Sequence, residues 1–131
     1  MYEGGYKEGK FDGEGFYEEG NGNWYRGWFK EGVFEGQGEY HYASGEVYVG
    51  ELRANLMEGY GEYDFANGDV YRGQFRRDKK EGKGITYFAN GDRFEGEFQD
   101  DVEHGRGTLY RADGRVREEV WHHGRLLRWS E

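Results

Sequence analysis

The chain of 131 residues sets 18 Lys and Arg against 27 Asp and Glu, for a formal charge of −9, and contains neither cysteine nor proline. That charge disfavours nucleic acid and anionic bilayers as general partners, and the missing thiols exclude a disulfide framework and thiolate metal sites. No apolar run approaches the roughly 20 residues of a membrane-spanning helix, and none forms a signal-peptide core, so a soluble, cytoplasmic protein is expected.

Leu, Ile, Val and Phe number only 22, a scarcity that would ordinarily suggest disorder in so charged a chain. Twelve Tyr, nine Phe and four Trp argue otherwise, because rings supply large buried area where aliphatic side chains are few. A thin, aromatic-lined structure is expected rather than a deep globular core.

Residues 1–12 read as the second half of a repeat: Tyr2/Gly4/Tyr6 has the pattern aromatic-x-Gly-x-apolar, and the first half of that unit is missing. The expectation is a fragment of a longer array. Residues 13–104 form four regular units. Gly-x-Gly recurs at Gly13/Gly15, Gly36/Gly38, Gly59/Gly61, Gly82/Gly84 and Gly105/Gly107, always 23 residues apart, and a turn glycine keeps the same step at Gly22, Gly45, Gly68, Gly91 and Gly114. Periodicity of this length marks a stacked repeat architecture.

Within a unit the side chains alternate. Gly59, Gly61, Tyr63 and Phe65 fall on one face of an extended strand and Tyr60, Glu62 and Asp64 on the other; after the turn, Asp69, Tyr71, Gly73 and Phe75 share a face opposite Val70, Arg72 and Gln74. The stretches Ala66–Asp69, Ala89–Asp92, Ala43–Glu46 and Ala112–Arg115 join the strands, and Asn-Gly and Asp-Gly steps tolerate the positive φ of a tight hairpin turn. The chain is therefore predicted to be all-β, an elongated single-layer antiparallel ribbon of stacked 23-residue β-hairpins. The strand glycines, which ordinarily weaken a strand, are expected to leave gaps on the inner face for neighbouring rings.

The run Gly59 to Phe75, Gly-x-Gly-x-Tyr-x-Phe-x-Asn-Gly-Asp-x-Tyr-x-Gly-x-Phe, resembles the MORN repeat (membrane occupation and recognition nexus), and the resemblance covers essentially the whole chain. It implies a non-catalytic rod of stacked hairpins in cytoskeletal, ciliary or membrane-junction scaffolds. The uninterrupted units ending in a degenerate one also resemble the cytoskeletal MORN proteins of parasitic protists. A cytoplasmic site at the cytoskeleton, or peripheral to a membrane, follows from that resemblance.

Residues 105–131 form the degenerate unit, a capping and dimerisation tail. Arg117 replaces the repeat Tyr, Glu119 the Gly and Trp121 the Phe, and Arg115 stands where Asp69 and Asp92 stood. This part carries six Arg against four acids, whereas residues 1–104 carry 12 basic against 23 acidic side chains. An antiparallel two-fold pairing centred on Glu118 would set Arg117 against Glu119 of a second copy, and Arg115 against Trp121. Self-complementarity of this kind suits an isologous homodimer, with Leu126, Leu127 and Trp129 either capping the last strand or packing across the dimer.

Other candidate sites are weaker. Tyr25, Tyr48, Tyr71 and Phe94 offer a peptide or helix groove, although their first duty is inner-face packing. Arg76, Arg77, Lys79, Lys80 and Lys83 form a local basic cluster that suggests phospholipid headgroup contact, against which the acidic surroundings argue for a solvated connection. No Walker loop occurs, and Gly-x-Gly-x-x-Gly fails at Asp64 and Tyr87, so no nucleotide or other cofactor is expected. The recurring Asp12, Glu35, Glu58 and Glu81 read as a solvated stripe rather than an acid/base pair. His41, His104, His122 and His123 lack metal-ligand spacing; His122 and His123 offer only opportunistic chelation, and no metal site is expected. No constellation suggests a nucleophile, so catalysis is not expected. The partners anticipated are a second copy of the chain, or higher assemblies of it, and cytoskeletal or membrane-associated proteins, not nucleic acid.

Overall fold

A computed structural model describes residues 1–131, and every element in it is a strand. The twelve are β1 (Tyr2–Lys7), β2 (Lys10–Glu18), β3 (Trp24–Lys30), β4 (Val33–His41), β5 (Val47–Arg53), β6 (Leu56–Asp64), β7 (Val70–Arg76), β8 (Lys79–Tyr87), β9 (Arg93–Gln99), β10 (Val102–Tyr110), β11 (Val116–His122) and β12 (Arg125–Ser130). They lie in one antiparallel sheet in sequence order, each pairing with its chain neighbours. Twelve strands at the usual inter-strand spacing span about 50 Å along the stacking axis. Only 14 of 131 residues are buried, so each unit is held mainly by its neighbours, as in other linear repeat folds.

The two glycines of Gly-x-Gly have different tasks. Gly59 has φ +82° and sits where three residues of β6, Glu58, Gly59 and Tyr60, oppose Glu51 alone on β5, between the pairs Gly50↔Gly61 and Leu52↔Met57. This is a β-bulge, which bends the strand and increases its twist, and it recurs on β4, β8 and β10. Gly61 instead lies under a ring. A Cβ there would come within 2.4–2.6 Å of the Tyr48 hydroxyl and ring carbons, so the ring lies flat across the bare backbone of Gly50 and Gly61. The same nesting places Tyr25 over Gly27 and Gly38, and Tyr71 over Gly73 and Gly84.

Each nested tyrosine also anchors its tip. Tyr25, Tyr48 and Tyr71 donate their hydroxyls to the carbonyls of Trp28, Glu51 and Gln74 at 2.8, 2.6 and 2.9 Å. The hydroxyl that burial would otherwise leave unsatisfied is thus paired at every unit. Edge-to-face contacts run along the row: Tyr48 meets Phe75 at 5.3 Å and Tyr71 meets Phe98 at 5.1 Å, each ring reaching into the following unit.

Turns alternate between two kinds. One kind is only two residues long, Ala54–Asn55, Arg77–Asp78 or Asp100–Asp101, with φ positive at both positions (50° and 72°, 49° and 70°, 50° and 76°). These are the type I′ hairpins whose twist matches flanking strands. The Asn-Gly turns, expected to be the tight ones, are longer: Phe65 N–H bonds Asp69 O, Gly68 N–H bonds Phe65 O, and among these turn residues Gly68 alone has positive φ. Both strands therefore run longer than the hairpin reading implies, and only the two-residue turn joins β7 to β8 where a solvated connection was expected.

Side chains lock the turns into ladders. Asn55, Asp78 and Asp101 accept through Oδ1 from the backbone N–H of Phe34, Met57 and Lys80, each at 2.8 Å. Glu35 and Glu58 accept from the N–H of Ala54 and Arg77 at 2.8 Å. The carboxylates read as a solvated stripe therefore act at these two positions as rungs between consecutive units. On the opposite rim Asn23, Asp69 and Asp92 accept from the N–H of Ala43, Ala89 and Ala112.

Candidate functional site

All nine buried core side chains lie in one cluster, and a second layer of half-buried rings packs against it. The 23-residue period lines these into rows. Phe11, Phe34 and Met57 form one wall, Tyr17 and Tyr40 the other, and between them runs a trough of about 510 Å³. It continues past Tyr42, Met57 and Asp78, which it shares with a second hollow of about 460 Å³ reaching Phe65, Lys80 and Asp101. Acidic groups stand at its margins. Tyr40 donates to Glu19 and Tyr63 to Glu46, both at 2.8 Å. Burial, reinforced by the Glu19 carboxylate, pushes the Tyr40 hydroxyl up to about 12, and burial with the Glu46 carboxylate raises Tyr63 as well.

The residues that sequence reasoning assigned to a groove form the buried floor of the inner face, and of the four only Tyr48 borders the trough. Tyr25, Tyr48 and Tyr71 have no exposed surface and Phe94 has 2%, so none can touch a guest. They are hidden because each ring occupies the glycine gap beneath it. The accessible lining lies one layer higher, on Phe34, Tyr40 and Tyr42.

The basic cluster divides. Arg76 ends β7, Arg77 lies in the two-residue turn, and Lys79, Lys80 and Lys83 belong to β8, so the expected solvated loop is strand and tight turn. Arg76 pairs with Lys79 and Lys83 with Glu97 on the outer face. Lys80 stands on the inner face in the row of Phe34 and Met57. Its Nζ lies 5.1, 5.2 and 5.5 Å from the rings of Phe65, Tyr71 and Phe98, a cation–π setting. Burial lowers its pKa, partly opposed by Asp101. The five cations thus do not present one surface.

The dimer geometry drawn from the last unit is also revised. β11 is not an edge: β10 covers one side and β12 the other, with Glu119↔Trp129 and Val120↔Arg128 in register. A two-fold β11 pairing centred on Glu118 would have to displace β12. The charges foreseen across that axis meet within one chain instead. Arg117 donates to Glu119 at 2.6 and 2.8 Å, Trp121 Nε1 donates to the same carboxylate at 3.0 Å, and the guanidinium lies 4.8 Å from the Trp129 ring. Glu119 is only 3% exposed. Arg115 pairs with Asp113 at 2.8 Å. Leu126 is opposite Trp121, while Leu127 and Trp129 remain more than half exposed. The tail is an added strand, not a flap folded over the sheet.

One cluster escaped the spacing argument. His104 on β10, His122 at the end of β11 and His123 in the following turn bring one ring nitrogen each to within 4.8 Å of one another. The signal lay in the repeat register: His104 and His123 occupy the rung held by Glu35 with Ala54 and by Glu58 with Arg77, and His123 N–H bonds His104 Nδ1 at 3.0 Å.

The sequence profile of the MORN repeat matches five consecutive segments, residues 2–24, 25–47, 48–70, 71–93 and 94–114. The chain belongs to the MORN-repeat family. Those units begin at Tyr2, Tyr25, Tyr48, Tyr71 and Phe94, so each opens on the floor ring; the division at Gly13 cuts the same period at another point. MORN repeats serve generally as protein- and membrane-interaction modules, are typically non-catalytic and are commonly membrane-associated. No helix of the chain is long and apolar enough to cross a membrane. Comparison with curated proteins found no match.

Proposed function

We propose that this MORN chain is a non-catalytic scaffold whose aromatic trough receives a segment of a partner protein in a cytoskeletal or membrane-associated assembly. The observation that carries this reading is the trough itself. Ring walls supply apolar contact, the acids at its rim favour a guest with Lys or Arg beside its apolar side chains, and the buried floor is preorganised by its tyrosine hydrogen bonds. Selection of displayed peptides tests it. The trough should enrich apolar-basic sequences that Phe34→Glu abolishes and that Tyr60→Glu, on the outer face, leaves bound. Enrichment insensitive to Phe34→Glu would overturn the assignment.

Homodimerisation through the C-terminal unit forms part of the same proposal, and Leu127 and Trp129 carry it, because they expose apolar surface on β12. Light scattering should give twice the 15.4 kDa chain mass, returning to monomer in Leu127→Glu/Trp129→Glu. A monomeric wild-type chain would refute this part. Headgroup binding through Arg76, Arg77, Lys79 and Lys83 is the competing outcome, and flotation with anionic vesicles at physiological salt would reveal it.

A further inference from the structure

The histidine corner differs from every equivalent corner of the molecule. In two earlier units the rung is a carboxylate accepting from a turn N–H, Glu35 to Ala54 and Glu58 to Arg77, with Arg53 or Arg76 ending the strand before the turn. In the last unit all three positions are histidine at once, as His104, His122 and His123. The rung needs only one acceptor, and His104 Nδ1 supplies it. That role accounts for His104 and leaves His122 and His123 without a structural duty; both are exposed. Their ring centroids nevertheless lie 5.0 and 4.6 Å from that of His104 and 4.3 Å from each other.

We propose that His104, His122 and His123 bind one late first-row divalent metal ion, Zn²⁺ foremost, and that the ion pins the β11–β12 hairpin to β10. Three imidazoles with no carboxylate in the cluster select zinc, nickel or copper over calcium and magnesium. Nitrogens bound tetrahedrally to one zinc ion lie about 3.4 Å apart, so the rings need only close from their present 4.8 Å limit, and the two exposed ones are free to rotate. Water completes the fourth position.

The bond to His104 makes the site report on itself. While Nδ1 accepts from the His123 amide, the neutral ring carries its proton on Nε2. An ion at Nδ1 displaces the amide, and an ion at Nε2 requires the proton to move to Nδ1, which also breaks that bond. Binding is therefore coupled to the His123 backbone N–H.

Titration of the full chain with zinc chloride at pH 8, followed by calorimetry and amide NMR, tests the proposal. One ion per chain is expected, with a large shift of the His123 amide and slower hydrogen exchange in β12. His122→Ala/His123→Ala, confined to exposed side chains, should weaken binding at least about tenfold. His104→Gln keeps an acceptor for the turn and should weaken it similarly, while His41→Ala, at the far side of the sheet, should not. Absent binding, binding unchanged in the double variant, or one ion shared by two chains would each overturn the site.

Discussion

The middle units and the last unit build the same sheet from opposite chemistry. From Tyr25 to Phe98 the floor is ring over glycine, buried and largely apolar, and each Tyr–Gly pair is closed by one hydroxyl-to-carbonyl bond. In the last unit the floor position is Arg117, the glycine position is Glu119, and the pair is closed by two charge-assisted bonds beneath the Trp129 ring. The two substitutions depend on each other: a guanidinium in place of the ring demands an acceptor, and the carboxylate fits only because no ring lies flat there. At this one position the fold accommodates a different floor because both members of the pair change together.

The largest effect that would sharpen this contrast is in the middle. Tyr71→Ala empties a fully buried ring site and should cost about 4 kcal/mol in denaturant unfolding, with the loss spreading to the units on either side. In the last unit, Arg117→Ala leaves Glu119 buried with Trp121 Nε1 as its remaining partner and should cost about 3 kcal/mol. That loss should be confined to β11 and β12 when followed by hydrogen exchange. Equal spreading from both sites would erase the distinction.

Alkaline pH should act on the middle first. Burial holds the Tyr25 hydroxyl up to about 12, and burial and Glu19 do the same for Tyr40, against an ordinary value near 10. The folded state thus holds these protons more tightly than the unfolded chain. The corresponding stability is complete below about pH 10 and is lost as pH rises towards 12. Tyrosinate absorbance should rise together with unfolding of the middle units; ionisation of these tyrosines with the sheet intact would contradict the packing. The smallest effect expected is a gain: Lys80→Met restores the row of Met57 and removes a half-buried cation, which should stabilise the chain by about 1 kcal/mol in thermal unfolding.

The sheet, its period and its inner face were legible in the sequence because glycine and aromatic residues recur at fixed steps, and alternation assigns them to faces. The nesting of rings over strand glycines followed from that logic, though not which ring lies over which glycine. Other features depend on register between strands, which composition cannot show. The two-residue turns at Arg77–Asp78 lack glycine, so their left-handed backbone carried no signal. Lys80 looked like part of a loop because its neighbours are charged, yet strand alternation turns it inward. β12 was read as a tail, since "RLLRWS" breaks the glycine pattern, and its pairing with β11 removes the edge on which the dimer geometry rested. The histidine corner was invisible to spacing rules because its members come together across two strands.

A double-mutant cycle between Tyr48 and Gly61 tests the nesting of rings over bare backbone most directly. Denaturant unfolding of Tyr48→Ala, Gly61→Ala and the double variant should show the pair costing about 2 kcal/mol less than the sum of the singles, because the three atoms nearest the added Cβ all belong to the Tyr48 ring and hydroxyl. Costs that add to within about 0.5 kcal/mol would show that glycine serves the backbone alone, and would contradict the account.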